Sequence, residues 1–399
     1  MRAAVAVLFL LLLPLSASAQ SFEQTTYLRL HETSMSPRTT AMGGASDASS
    51  SDAADVAANP ALVASLKKTT FSLSASQTRY GVPRFDNFRG REGRDATSLS
   101  HASIVFPLHG AVLAAYYRDE PRLHDREVAP QPGIEPYYPV CVDESGPCMY
   151  VASADAVAFQ RRDRRYGLAA AIERGSLSFG VGLEYQDFEE SHDLQTFAIP
   201  LSIGMELLMR RTAGQDLVPN AGMRWRISPK VAVAAAYNGA GTFDRSDDQC
   251  VVDIRNGACT STYQAITRTT VKRPDQYRAS IAVLPTSALT LTAEAVRVNY
   301  KNLEDPTQWY STWYYVLPYQ NATDFHAGAE YRLGKLALRA GWWREEPKRA
   351  FDYVVLNQAL QHITVGAGFD IGPARIDVAY DDVDAPSLRR ATVGVSWTR

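Results

Sequence analysis

The chain of 399 residues carries 41 basic against 43 acidic side chains, a balance that argues for neither nucleic acid nor an acidic substrate as its partner. Its length would favour two or three domains, yet Gly and Pro are scattered rather than gathered into a linker. Past the N-terminus no stretch stays apolar over the roughly 20 residues a spanning helix needs.

Residues 1–19 run from Met1 and Arg2 through an apolar stretch, Ala3 to Leu13, to small residues before Gln20. That is the charged, apolar and A-x-A-like order of a cleaved secretory signal. Behind it, residues 20–68 are centred on Pro37 to Ala45, which includes Met42, Gly43 and Gly44, and continue to Asn59, Pro60, Ala61 and Leu62. This Ala-, Ser- and Asp-rich segment reads as one folded back inside something hollow.

From residue 69 to the end the pattern changes to strict alternation. Phe71, Leu73 and Ala75 alternate with Ser72, Ser74 and Ser76, and Leu177 to Tyr185 alternate with Ser178, Gly180, Gly182 and Glu184. The same holds for Ile363 to Ile371 and for Val393 to Trp397. Each is a strand with one apolar and one polar or small face. Alternation alone does not separate a soluble sandwich from a membrane barrel, because only the direction of the faces differs.

The connections do separate them. Six short turns, near residues 106–110, 173–176, 227–230, 285–288, 333–335 and 371–374, alternate with seven longer polar stretches, at 80–96, 119–160, 189–218, 244–273, 301–322, 346–360 and 381–388. Fourteen strands with tight turns at one end and long loops at the other describe an all-β fold, a transmembrane antiparallel β-barrel. Both termini then lie at the tight-turn, periplasmic end. Two stretches break the pattern. Near Ala293–Val298 the apolar phase slips by one residue, as at a bulge or a misplaced strand boundary. The apolar run Phe197–Met209 is expected to be a short helix over the barrel mouth, with a strand extension as the alternative.

The four cysteines form two close pairs, Cys141 with Cys148 and Cys250 with Cys259. In an exported chain this spacing points to two local disulfides in loops. A metal site built from all four would lack the C-x2-C spacing zinc usually takes, so no metal and no cofactor is expected.

Several phrases, taken together and in order, resemble the FadL-type (OMPP1/FadL/TodX) outer-membrane family. They are Ala41–Ala45 with Asn59–Ala61, Arg273–Arg278, Leu289–Glu294 running to Tyr300, Phe325–Tyr331 followed by Leu338–Gly341, and Thr392–Ser396. Each is a weak signal alone; the ordered set spans nearly the whole mature chain. The resemblance implies a fourteen-stranded barrel with an N-terminal hatch in its lumen. It also implies passive uptake of hydrophobic small molecules, long-chain fatty acids or aromatic hydrocarbons, captured in an apolar pocket and released sideways into the bilayer. A general porin, or a hatch-bearing barrel that acts as a secretion shuttle or binds a protein partner, are the alternatives. The segment Ser46–Asp55 is richer in Ser and Asp than the family pattern, and the chain ends Trp397-Thr-Arg399 without a terminal aromatic.

Candidate site residues follow. Met42, Gly43, Gly44, Ala45, Asn59, Pro60 and Ala61 form the hatch and border substrate passage, with Asn59 suited to lock loop backbone. Arg224, Arg226, Glu330, Arg332, Arg339 and Asp377 fall on polar strand faces and so point into the lumen, where charges pair with one another and with the hatch. Arg161, Arg162, Arg164 and Arg165 are expected at the rim, against lipopolysaccharide or solvent. His101, His326 and His362 lie within strands. No His or Ser stands in a catalytic motif, so no catalytic residue is assigned and no enzyme is expected. The partners expected are membrane lipid, lipopolysaccharide and a hydrophobic substrate, for a monomer in the outer membrane.

Overall fold

The structure, a computed structural model, describes residues 36–45, 48, 52–80, 95–128, 138–141, 148–151, 153–198, 205–252, 259–261, 267–303, 320–346, 359–383 and 388–399. The expected signal peptide and residues 20–35 lie outside them. Nineteen strands follow a short N-terminal segment: β1 (Thr70–Tyr80), β2 (Asp95–Leu108), β3 (Ala111–Val128), β4 (Tyr138–Cys141), β5 (Cys148–Val151), β6 (Ser153–Arg174), β7 (Leu177–Ala198), β8 (Met205–Ser228), β9 (Val231–Asn238), β10 (Thr242–Val252), β11 (Cys259–Ser261), β12 (Thr267–Lys272), β13 (Gln276–Val283), β14 (Leu289–Val298), β15 (Ala322–Leu333), β16 (Leu336–Glu345), β17 (Leu360–Ile371), β18 (Ala374–Val383) and β19 (Leu388–Thr398). Every pairing is antiparallel, and β1 pairs with both β2 and β19, so the sheet closes on itself. Fourteen strands make the ring: β1–β3, β6–β9 and β13–β19. β10 and β12 continue β9 and β13 beyond it, and β4 with β5 forms a separate hairpin.

The apolar faces point outward. Leu73 is 53% exposed and Leu183 52%, while their neighbours Ser74 and Glu184 are buried at 1% and 0%. This inverts a soluble sandwich, and lipid is the surrounding that makes it favourable. Outward tyrosines mark the long-loop side of the apolar band: Tyr117, Tyr166 and Tyr185 stand side by side, as do Tyr237 and Tyr277. Phe71 against Trp397 marks the tight-turn side. Such aromatic belts sit at the two membrane–water boundaries. The chain is therefore a transmembrane β-barrel.

Several sequence expectations need correction. Long stretches read as loops are strands. β6 and β7 span 22 residues each and β8 spans 24, about twice what a tilted strand needs to cross a bilayer. Their far ends stand outside the membrane, where no lipid requires an apolar face, so their sequence looks loop-like. Phe197–Met209 contains no helix among the described residues: β7 runs to Ala198 and β8 starts at Met205, with Leu194 opposite Leu208. The phase slip at Ala293–Val298 is not a bulge. The register of β14 against β13 and β15 is unbroken, and the apolar residues Val296 and Val298 face inward. Cys141 faces Cys148 in the β4–β5 register; the cysteine side chains of both expected disulfides lie outside what is described.

Placing a cation in the middle of the outward band tests which solvent covers it. Val181→Arg is expected to cost about 2–4 kcal/mol in urea unfolding from lipid vesicles, as lipid-facing arginines do near the midplane. A cost near zero would mean that this face meets water.

Candidate functional site

The N-terminal segment begins with α1 (Pro37–Ala41), whose Pro at the first turn suits helix initiation. After Met42 the backbone turns left-handed at Gly43 (φ +71°) and Gly44 (φ +74°), and their N–H groups return to Thr40 and Thr39 carbonyls. A side chain at position 43 would be strained by that φ and would also meet the β15 and β16 backbone at Ala327 and Trp342. The wall is shaped to match. A Cβ on Gly341 would overlap the Gly43 nitrogen, and one on Gly328 would strike Met42.

Polar contacts fix this close approach. The Gly43 N–H donates to Thr364 Oγ1 at 2.9 Å, and the same hydroxyl donates to the Ala41 carbonyl at 3.1 Å. His326 Nδ1 donates to the Gly43 carbonyl at 2.6 Å, since a carbonyl can only accept. Trp343 stacks between His326 and His362, and His362 Nδ1 lies 3.0 Å from Asp381 Oδ1. Thr364, His326 and Glu330 belong to the inward faces of their strands, so α1 lies inside the barrel against β15–β19.

The second half of the segment crosses to the opposite wall. Thr39 Oγ1 donates to Asp55 at 2.9 Å, tying α1 to the 3-10 turn Ala53–Ala57. Asn59 caps the next turn, Pro60–Ser65, by accepting from the Ala61 N–H, and its amide donates to the Ala235 carbonyl of β9 at 3.2 Å. Asn238 Nδ2 reaches back to the Ala57 carbonyl at 3.0 Å. Gly222 and Gly180 leave the space that Asn59, Pro60 and Ala61 fill. The two groups of hatch residues named from the sequence, Met42–Ala45 and Asn59–Ala61, are thus buried against different walls rather than brought together.

Charges inside the barrel are paired in groups. Near the tight-turn end Glu330 accepts from Arg38 at 3.0 Å, Arg339 at 2.7 Å and Arg332 at 2.8 Å, and Arg339 also meets Asp377 at 2.9 Å. Arg375 lies between Asp377 and Glu330. Arg224 is buried beside Ser178 and Glu173, whereas Arg226, on the same Glu173, is about half exposed at the rim. Towards the loop end Glu184 holds Arg118 at 2.6 Å and accepts from Tyr116 and Gln186. Asp163 holds both Arg165 and Arg273. The basic run at Arg161–Arg165 is therefore split between faces: Arg165 points inward with Asp163, and Arg162 reaches Asp187 on the outer side. Arg38, Arg118, Arg273 and Arg375 were missed in the sequence. For Arg118 and Arg375 the signal available was position on the inward parity of a strand; Arg273 lies between β12 and β13, where no parity applies.

Above these charges the lumen turns apolar. Phe188, Phe243, Val296, Val298, Tyr300 and Ala322 form one buried cluster, with the Phe188 and Phe243 rings 4.9 Å apart. The Arg273 guanidinium sits over both rings, at 5.3 and 5.7 Å. Beside the cluster the regular strand ladder lapses at 239–241 and 273–275, although the Arg273 N–H still donates to the Gly241 carbonyl at 2.9 Å and the Gly239 N–H to the Pro219 carbonyl at 2.9 Å. Ala240 lies opposite Pro274, which has no N–H to give. The Ala240 N–H goes to Asp275 Oδ1 and the Thr242 N–H to Asp216 Oδ2, so carboxylates replace strand partners there. The register of β8 also shifts by one residue between β9 and β10, as Asn220↔Asn238 and Ala213↔Asp244 show.

A transmembrane barrel closed by its own strands and crossed by its N-terminal segment defines the class. Among solved structures the fold is similar to the toluene transporter TbuX of Ralstonia pickettii, at 17% identity over 91% of this chain and 97% of that one, with a TM-score of 0.57. It is similar to the Pseudomonas putida toluene transporter TodX, at 14% identity over 94% and 99%, with a TM-score of 0.57. It is also similar to a Pseudomonas aeruginosa FadL homologue, at 13% identity over 90% and 96%, with a TM-score of 0.60. The FadL-type resemblance of the sequence is thus a resemblance of fold. No family model matches the chain, and no curated protein matches it in sequence.

The Gly43–wall contact can be tested separately from barrel stability. Thr364→Ala removes two hydrogen bonds to α1 and its turn without adding bulk, and is expected to raise the detached fraction about tenfold, read as ion conductance in planar bilayers. Gly341→Val, which forces the wall and Gly43 apart, should raise it further. Parent-level conductance in both variants would show that this contact does not hold the segment.

Proposed function

We propose that the chain is an outer-membrane channel for passive uptake of hydrophobic small molecules, long-chain fatty acids or aromatic hydrocarbons, with residues 20–68 acting as its hatch. One observation carries the reading: an apolar cluster on the inward face at the loop end of the barrel, beside a stretch of wall where carboxylates take the place of strand partners. A hydrophobic molecule gains by leaving water for Phe188, Phe243, Val296 and Val298. It then leaves sideways at the level of the Tyr237–Tyr277 boundary, where Ala240 and Pro274 face each other without a ladder bond beside the outer edge of the lipid. Charged groups below the cluster are paired, so they neither pull ions through nor compete for the substrate.

The similar barrels include a toluene transporter, a monoaromatic hydrocarbon channel and a FadL homologue, which fits the same class of cargo. The ring closes within one chain, which fits a monomer. The start of β1 and the end of β19 lie with the tight turns, which fits a periplasmic placement of the termini. Outward Arg162 and Arg164 beside the tyrosine belt suit contact with lipopolysaccharide phosphates.

Uptake of a fluorescent fatty acid and of toluene by cells expressing the protein tests the reading. Phe188→Asp and Phe243→Asp place a carboxylate in the apolar cluster and are each expected to lower uptake about tenfold or more while the folded barrel is retained. Uptake equal to the parent in both variants, for both compounds, would overturn it.

A further inference from the structure

Among the described residues, the tight-turn end of the barrel carries more exposed cations than its carboxylates match. Glu173 takes both Lys67 and Arg226, Glu330 takes Arg332, and Asp370 lies 3.8 Å from Arg375. Four further cations, Lys68, Arg174, Lys230 and Lys335, are exposed and make no ion pair among the described residues.

Their positions share one rule. Each stands within three residues of an exposed apolar side chain at the end of a strand. Arg174 follows Ile172 on β6, Lys230 follows Ile227 on β8, Lys335 follows Leu333 on β15, and Lys68 precedes Phe71 on β1. In the register Leu177 alone separates Arg174 from the outward Trp225. Phe71 against Trp397 marks the membrane–water boundary at this end. The four cations therefore stand at the depth of lipid headgroups. Their apolar stems can lie along the end of the greasy band while the charged heads reach past it.

Their spread around the ring narrows the partner. Lys68 is at the β1–β19 seam, Arg174 at the β6–β7 turn, Lys230 at the β8–β9 turn and Lys335 at the β15–β16 turn. Turns without Lys or Arg intervene: residues 109–110 after β2, 284–288 after β13 and 372–373 after β17. A protein docked on one face would need its cations on adjoining turns, whereas a lipid leaflet touches every turn at once. A zwitterionic headgroup brings its own cation beside its phosphate. A headgroup of net negative charge does not, and so it is the better match for cations that nothing in the chain neutralises.

We propose that Lys68, Arg174, Lys230 and Lys335 form a rim that binds anionic phospholipid headgroups in the leaflet at the tight-turn end. Ammonium and guanidinium groups donate charge-assisted hydrogen bonds to the phosphate oxygens. The rim thereby surrounds this end of the barrel with a shell enriched in anionic lipid. It does not rest on the uptake reading, because it requires only a barrel in a bilayer.

Electron spin resonance of the protein in phosphatidylcholine vesicles tests it, since spin-labelled lipid held at the protein surface gives a motionally restricted signal. The parent is expected to hold labelled phosphatidylglycerol over labelled phosphatidylcholine by about fivefold, and less at about 1 M salt. Changing Lys68, Arg174, Lys230 and Lys335 together to Gln should bring the preference down to about twofold or below. Circular dichroism of that variant should show the strand content of the parent. Lys335→Gln alone should remove only part of the preference, because the rim is distributed. Arg297→Gln, at an exposed cation of the loop end, should leave most of it. Equal retention of the two lipids by the parent would overturn the proposal and leave an acidic protein as the occupant. An undiminished preference in the four-site variant would overturn it too, as would its complete loss through Lys335→Gln or Arg297→Gln alone.

Discussion

Closure of the sheet between β1 and β19 is the constraint on which the rest of the molecule depends. In hydrocarbon an unpaired backbone group has no water to turn to, so a membrane-crossing sheet must have no edges. The eleven-residue register from Thr70↔Thr398 to Tyr80↔Leu388 supplies the last seam. Once the ring is closed, the direction of every side chain along each stave is fixed by parity. Apolar residues must take the lipid side, and everything else is forced into a confined interior. The inside then has a problem of its own, because charges placed there lose bulk water.

The answer is pairing that includes the N-terminal segment. Glu330 collects three wall arginines and also Arg38 of α1, so the segment belongs to the charge balance of the bore. Backbone fit does the remainder. Gly341 and Gly328 let Met42–Gly43 approach the wall more closely than any side chain would permit, and Thr364 bonds on both sides of that contact. On the opposite wall Asn59 does the same with β8 and β9 carbonyls. Two clamps at different walls make the segment a strut across the lumen.

The fold was legible in the sequence because lipid imposes a simple code. Within the apolar band, alternation in β7 or β17 is almost free of exceptions, and the sorting of short and long connections followed from it. Legibility ended where the lipid ended. Above the tyrosine belt, β6, β7 and β8 continue as strands without an apolar face, and their residues read as loops. It ended too where the lumen departs from polarity. Val296 and Val298 looked like a slipped register because an inward valine breaks the code, and that break is the trace of the apolar cluster. Parity marked Glu330, Arg339 and Asp377 as inward, but no one-dimensional pattern reveals that Arg38 joins them from a segment 292 positions away. The run Arg161–Arg165 misled for the reverse reason. Its density of charge suggested a solvated surface, while parity had already sent Arg165 inward to Asp163.

These departures divide the interior into unlike sides. Among the described residues the inward face is charged and clamped at β15–β18, holds the Phe188–Phe243 cluster at the loop end between β7 and β15, and is rich in hydroxyls on β1 and β2. A barrel need not be uniform inside, because each stave's inward residues are chosen independently of its lipid-facing ones. The lipid face is held to one chemistry by the bilayer, and the tight turns are held by geometry. What remains free to vary is the inward half of each strand and the extension above the membrane, and it is in those two places that this chain carries what distinguishes it from a plain closed sheet. The clamps matter because they keep such sides apart. With α1 on one wall and Asn59 on another, the segment holds its own contacts on both sides, and neither wall has to serve for the other.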